Sequence, residues 1–177
     1  MRKTGAKKEI KKDDGFESKL LDLSRVERMT AGGRRLRFQA VMVVGDKNNK
    51  VGVESAKSSD VTSAIEKATK LAKKRMIEIP IVNETIPHQT EAKYGAARVL
   101  LRPQRKGRGL VAGGTVRTIC LAAGVKNISA KIIGKTSNKF NNAKATIKAL
   151  SELKLTEKEK ISNLKEKEKA EVENNNT

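Results

Sequence analysis

The chain carries one cysteine, one histidine, three prolines and no tryptophan in 177 residues. A lone thiol, Cys120, cannot close a disulfide within the chain, so nothing ties the fold to an oxidising compartment. Cys120 and His88 are together too few for a structural zinc site, and no metal or other cofactor is expected. Aromatic side chains number four: Phe16, Phe38, Tyr94 and Phe140. Single-strand binders present several aromatics as stacking platforms, so this chain is expected to contact nucleic acid ionically and by shape. No apolar run approaches the roughly 20 residues of a membrane span. The charged N-terminus lacks the apolar stretch of a signal peptide. A cytoplasmic setting without membrane contact is the expectation.

Acid is scarce as well. Lys and Arg total 39 against 20 Asp and Glu, a formal net charge of +19. A globule this basic repels itself unless something anionic neutralises it, and nucleic acid is the leading class of partner. Residues 1–19 mix charge and glycine without periodicity and read as a mobile arm. Residues 154–177 read as a disordered Lys/Glu tail. The stretch 20–150 holds 26 basic and nine acidic residues, +17, so the charge belongs to the folded body.

The body divides into two units, 20–78 and 79–153. Residues 35–45, RLRFQAVMVVG, alternate. Leu36, Phe38, Ala40, Met42 and Val44 fall on one face, expected to be core, and Arg35, Arg37 and Gln39 on an exposed one. Residues 21–29 make a partner strand, joined through a hairpin turn at Gly32 and Gly33. After a turn at 45–49, residues 50–56 form a third strand, completing an antiparallel meander. Ser58, Ser59 and Asp60 supply helix-capping side chains. Val61, Ala64, Ile65, Ala68, Leu71, Ala72 and Met76 then recur at helical spacing, and Pro80 lies beyond the end. The first unit is therefore β-β-β-α. In the second, strands are expected over 85–93, 97–102 and 127–133, and helices over 111–123 and 139–153.

Two glycine-rich basic segments stand out. At Gly32-Gly33-Arg34-Arg35, glycines let backbone approach a phosphate and adjacent guanidiniums grip it together. A tight turn with solvated arginines explains the segment equally well. Arg105-Lys106-Gly107-Arg108-Gly109 precedes the first helix of the second unit, and a helix N-terminus can hold phosphate. It lacks both the P-loop and the dinucleotide signature, so a contact with RNA or protein fits better than nucleotide chemistry. Cys120 lies at helical spacing with Val116 and Ala123, as a small buried residue would. His88 reads as structural, and no pair of carboxylates marks an acid/base site. No enzymatic activity is expected.

The motifs quoted, with VVGD at 43–46, Val51-Gly52-Val53, Thr85-Ile86-Pro87-His88, AGGTVR at 112–117, residues 123–127 and Ala145-Thr146, give the chain a close resemblance to the bacterial-type small-subunit ribosomal protein S-five family over roughly residues 20–152. That resemblance implies an α+β chain: a double-stranded-RNA-binding-like β-β-β-α domain followed by a second small α/β domain. It implies a structural constituent of the small ribosomal subunit that binds rRNA, helps assembly and maintains translational accuracy. Implied partners are small-subunit rRNA, ribosomal proteins S-four and S-eight, and mRNA near its entry channel. The residues expected at RNA are Arg28, Gly32, Gly33, Arg34, Arg35, Arg37, Lys57, Arg105, Lys106, Arg108, Lys135 and Lys139. Gly107, Gly109 and Arg117 are expected towards S-four. Glu54-Ser55-Ala56 departs from the family pattern, which suggests a different meeting of the third strand with RNA. A free double-stranded-RNA-binding module and a small-molecule kinase are the competing readings; the kinase rests on fold analogy alone.

Overall fold

The computed structural model describes residues 10–13 and 15–154, with side chains from Gly15 onward. Four strands come first: β1 (Ile10–Asp13), β2 (Phe16–Thr30), β3 (Gly33–Gly45) and β4 (Lys50–Ser58). Helix α1 (Val61–Lys74) and a two-residue β5 (Ile77–Glu78) follow. They form one antiparallel sheet in the order β1-β2-β3-β4-β5. The expected meander is its centre, and β1 and β5 are short edges that its pattern did not reveal. Residues 16–19, expected within the arm, already belong to β2. The rest of that arm, residues 1–9 and 14, and the tail from 155 lie outside the described residues.

Helix α1 starts where Asp60 caps it, its carboxylate accepting from the backbone N–H of Thr62 and Ser63. Its buried residues are Ala64, Ala68 and Ala72, four apart. Small side chains on that stripe let the helix lie close on the sheet. Gly52 completes the fit, because a Cβ there would stand 2.3 Å from the Ala72 carbonyl oxygen.

The second unit contains β6 (Thr90–Tyr94), β7 (Ala97–Pro103), β8 (Leu110–Val111), α2 (Gly114–Ala123), β9 (Ile128–Ile132) and α3 (Lys139–Ser151). Its sheet runs β6-β7-β9-β8, antiparallel except for the parallel β8–β9 pair. The helix expected from 111 starts at Gly114 instead, because Leu110 and Val111 pair with Ile128 and Ser129. The strand expected from 85 starts at Thr90. Thr85 instead bridges to Val82 across Asn83 and Glu84, both at positive φ.

Strand β3 departs most from its expected pattern. Residues 40–44 are all buried, whichever face they occupy. Ala40 and Met42 pack under α1 with Ala64 and Ala68. Val41 and Val43, with Val51 and Val53 of β4, enter the other core beside Ile119, Cys120, Ala123 and Leu150 of α2 and α3. The first sheet is thus covered on both faces, and the continuous apolar run at 40–44 is the mark of such a strand. The layers stack as α1, first sheet, α2 with α3, second sheet.

A backbone joint completes the contact between the units. The last four carbonyls of a helix lack partners within it. In α2, Cys120 and Leu121 accept from Val125 and Gly124, the residues just after the helix. Ala122 and Ala123 accept from the N–H groups of Lys47 and Asn49, at 3.0 and 3.1 Å, in the β3–β4 turn. Lys47 and Asn49 adopt φ of 60° and 74° to present those groups. Gly45 and Gly124 permit the approach: a Cβ on either would lie 2.1 or 2.0 Å from a backbone oxygen of the opposite unit.

Candidate nucleic-acid interface

Beyond Phe38, which still packs against the core under α1, the β2–β3 hairpin leaves the cover of both helix layers towards its turn. Pairing continues to the tip, where Thr30 lies opposite Gly33 and its hydroxyl donates to the Gly33 carbonyl at 2.8 Å. Gly33 holds φ of +111°, a conformation that side-chain-bearing residues rarely adopt, whereas Gly32 does not need positive φ. Open space surrounds both.

Cross-strand partners share a face, so the register sorts the cations. Val41 faces α2 and α3, and on the same side, moving outward, come Gln39, Arg37 and Arg35 of β3 opposite Ser24, Val26 and Arg28 of β2. Lys57 of β4 stands opposite Gln39. Arg28, Arg35, Arg37 and Lys57 therefore gather with Val26, Glu27 and Thr30 around one open cleft of about 450 Å³. Arg28 directly opposes Arg35. Two like charges in such a rung disfavour the strand pair in water; an anion bound between them reverses that sign.

Arg34 points to the other face, where it pairs with Glu27 at 3.5 Å. The expected joint grip of Arg34 and Arg35 on one phosphate is therefore corrected, since neighbours along a strand diverge. At the inner end of the cleft face, Lys139 starts α3 and its Nζ lies 2.8 Å from Asp22 of β2. Lys135 is exposed in the connection before α3.

The second basic segment lies elsewhere. Arg105, Lys106 and Arg108 are exposed in a turn closed by the Arg108 N–H on the Arg105 carbonyl at 3.2 Å. Gly107 and Gly109 take positive φ, and Gly109 donates to the Asn127 side chain at 3.0 Å. The loop enters strand β8, not a helix, which removes the direct route to phosphate at a helix N-terminus. Arg117, in the first turn of α2, donates to the Leu110 carbonyl at 3.0 Å. Beside the loop, Glu84 holds Lys126 at 2.6 Å. The Lys126 hydrogen bond, more than its charge, keeps the Glu84 carboxyl below the ordinary glutamate range.

The groups considered for chemistry are apart in character. Cys120 is wholly buried, and burial pushes its thiol up to about 12. His88 is exposed. Among the described residues no group of three His, Cys, Asp or Glu is placed to hold a metal ion.

Sequence reasoning missed the role of Glu54. Its carboxylate is almost fully buried and accepts from Lys144 of α3 at 2.5 Å and from Arg75 at the end of α1 at 3.0 Å. Burial alone would raise its carboxyl; the Lys144 and Arg75 hydrogen bonds and charges together outweigh it and hold the group below the usual range. Glu54 thus ties the two units together. An acidic residue inside an apolar strand was the available signal.

Comparison with known proteins matches two family models. "Ribosomal protein S5, N-terminal domain" covers residues 16–80, and "Ribosomal protein S5, C-terminal domain" covers residues 92–164. The chain is 46% identical over 138 residues to the small ribosomal subunit protein uS5 of Thermotoga neapolitana, covering 78% of this chain and 77% of that one. It is 42% identical over 153 residues to the uS5 of Thermotoga maritima, covering 86% and 85%. With uS5c of Spinacia oleracea the identity is 45% over 142 residues, 80% of this chain and 46% of the longer relative.

Proposed function

The chain belongs to the ribosomal protein S5 family, and from that premise we propose that it is a structural component of the cytoplasmic small ribosomal subunit, gripping rRNA with the cleft face of its hairpin. The family is structural and not enzymatic. The observation that carries the reading is the Arg28–Arg35 rung with Arg37 and Lys57 beside it. Four cations converge on one cleft without an aromatic to stack a base, an arrangement suited to the phosphates and ribose hydroxyls of an A-form groove. Gly32 and Gly33 let the tip approach RNA backbone, with Arg34 serving the hairpin's other face. Lys139, Lys135 and the Arg105, Lys106 and Arg108 cluster add phosphate contacts further along the body. Gly107, Gly109 and Arg117 face ribosomal protein S-four, through which the chain contributes to translational accuracy near the mRNA entry channel; S-eight is a further neighbour.

The test reverses three charges of the cleft, Arg28→Glu with Arg35→Glu and Arg37→Glu. Binding to a small-subunit rRNA fragment is expected to weaken on the order of tenfold or more, with a dependence on log salt shallower by about three. The variant chain is expected to sediment free of small subunits. Unchanged rRNA affinity and normal incorporation would refute the assignment.

A further inference from the structure

Among the described residues, the four-layer stack ends on a sheet with helices on one side only. In the second sheet, Ala92, Ala97, Val99, Leu101 and Ile128 point into the core. Alternation sends Lys93 of β6, Arg98 and Arg102 of β7 and Lys131 of β9 to the opposite, open face, and all four are exposed. Glu91 is the one carboxylate on that face among the described residues, and it is bound to Arg98.

The face also joins basic segments that are distant in sequence. Strand β7 runs on into Arg105 and Lys106, while antiparallel β9 leads to Lys135 at the other end. A positive strip roughly 20 Å long therefore crosses the sheet, by the rise of the seven residues of β7. The apolar side chains on this face are half-buried Leu100 and exposed Val111 and Ile133. Leu100 is flanked by Arg98 and Arg102 along β7 and by Glu91 and Lys131 across it, so the three form no broad apolar centre of the kind a protein interface has. The face carries no aromatic side chain. Its chemistry is a spaced array of donors complementary to a row of phosphates.

We propose that this open face is a second RNA-backbone surface, with Arg102 and Lys131 at its centre, separate from the hairpin cleft. It rests on the reading of the chain as an RNA binder and extends it: one chain holds two stretches of duplex, one at the hairpin and one on the last sheet layer.

The experiment uses the full chain and a 20-base-pair RNA duplex of arbitrary sequence, followed by fluorescence anisotropy across a salt series. Arg102→Glu with Lys131→Glu is introduced both into the native chain and into the chain already carrying Glu at 28, 35 and 37. Neither Arg102 nor Lys131 is buried, and a thermal melt checks that each variant folds. In the hairpin-silenced chain, duplex binding is expected to persist, then fall on the order of tenfold or more with the sheet pair, the salt slope becoming shallower by about two. In the native chain, saturation is expected at two duplexes per chain, reduced to one by the sheet pair. Residual binding unaffected by the sheet pair, no residual binding in the hairpin-silenced chain, or saturation at one duplex would each overturn the proposal. The first of these outcomes would leave the face to an acidic protein. Failure of the hairpin assignment reads out separately, as undiminished binding with the three hairpin substitutions alone.

Discussion

In β3, residues 40–45 are buried whichever way their side chains point, while residues 33–37 are exposed whichever way theirs point. The strand geometry does not change along its length; what changes is the cover. The inner end lies between α1 on one side and α2 with α3 on the other. The outer end projects past both layers with its arginines. One continuous strand thus acts as an anchor at one end and a probe at the other, and the hairpin's direction is set by the joint at the turn of Lys47 and Asn49.

The comparison breaks most visibly on one face. Met42→Ala, at the inner end, is expected to destabilise the chain by about 3 kcal/mol, through lost burial and a cavity. Leu36→Ala, on the same face at the outer end, is expected to change stability by less than about 0.5 kcal/mol. Urea unfolding of both variants measures the contrast, and equal losses would mean the outer hairpin is covered in the free chain.

The Glu54 tie should be next in size. Because its folded-state pKa is lowered, its contribution is fully present above the ordinary glutamate range and is lost as pH falls through the depressed value. Glu54→Gln is expected to cost about 1–3 kcal/mol at neutral pH and to flatten the acid limb of the stability curve. A thermal melt at each pH reads both. A parallel downward shift at every pH would show that Glu54 does not titrate as described.

The smallest effect has the opposite sign. Arg35→Thr removes the like-charge rung with Arg28 and is expected to raise stability by about 0.2–1 kcal/mol while weakening RNA binding. The same two assays, run side by side, distinguish a residue kept for binding from one kept for the fold.

Much of the first unit was legible because its signals are local. The alternation of 35–45, the Asp60 cap and the alanine stripe of α1 each specify an element without reference to the rest of the chain. Cover is not local. The run at 40–44 carried the mark of two-sided burial, but the alternation at 35–39 dominated the window, and one face was assigned to solvent. The arginines of the hairpin were found by composition. Their division, Arg35 to the cleft and Arg34 to Glu27, follows from strand alternation once the pair is treated as strand and not as turn. Arg98, Arg102 and Lys131 escaped notice because they alternate singly with core residues and never form a run. The joint between the units leaves almost no trace in side chains. It is made by carbonyls and N–H groups, and only Gly45 and Gly124 record it, as glycines whose neighbours lie on another part of the chain.

That joint also bears on how the chain matures. Helix α2 ends with two carbonyls whose donors, on Lys47 and Asn49, sit about 75 residues earlier. The first half, synthesised first, meanwhile holds Val41, Val43, Val51 and Val53 without their covering layer until α2 and α3 emerge. Neither half is a finished folding unit, so the chain should melt in a single cooperative transition. Its nascent N-terminal portion is a stretch of sticky sheet waiting for a lid, and a natural client for whatever shields unfinished chains during synthesis.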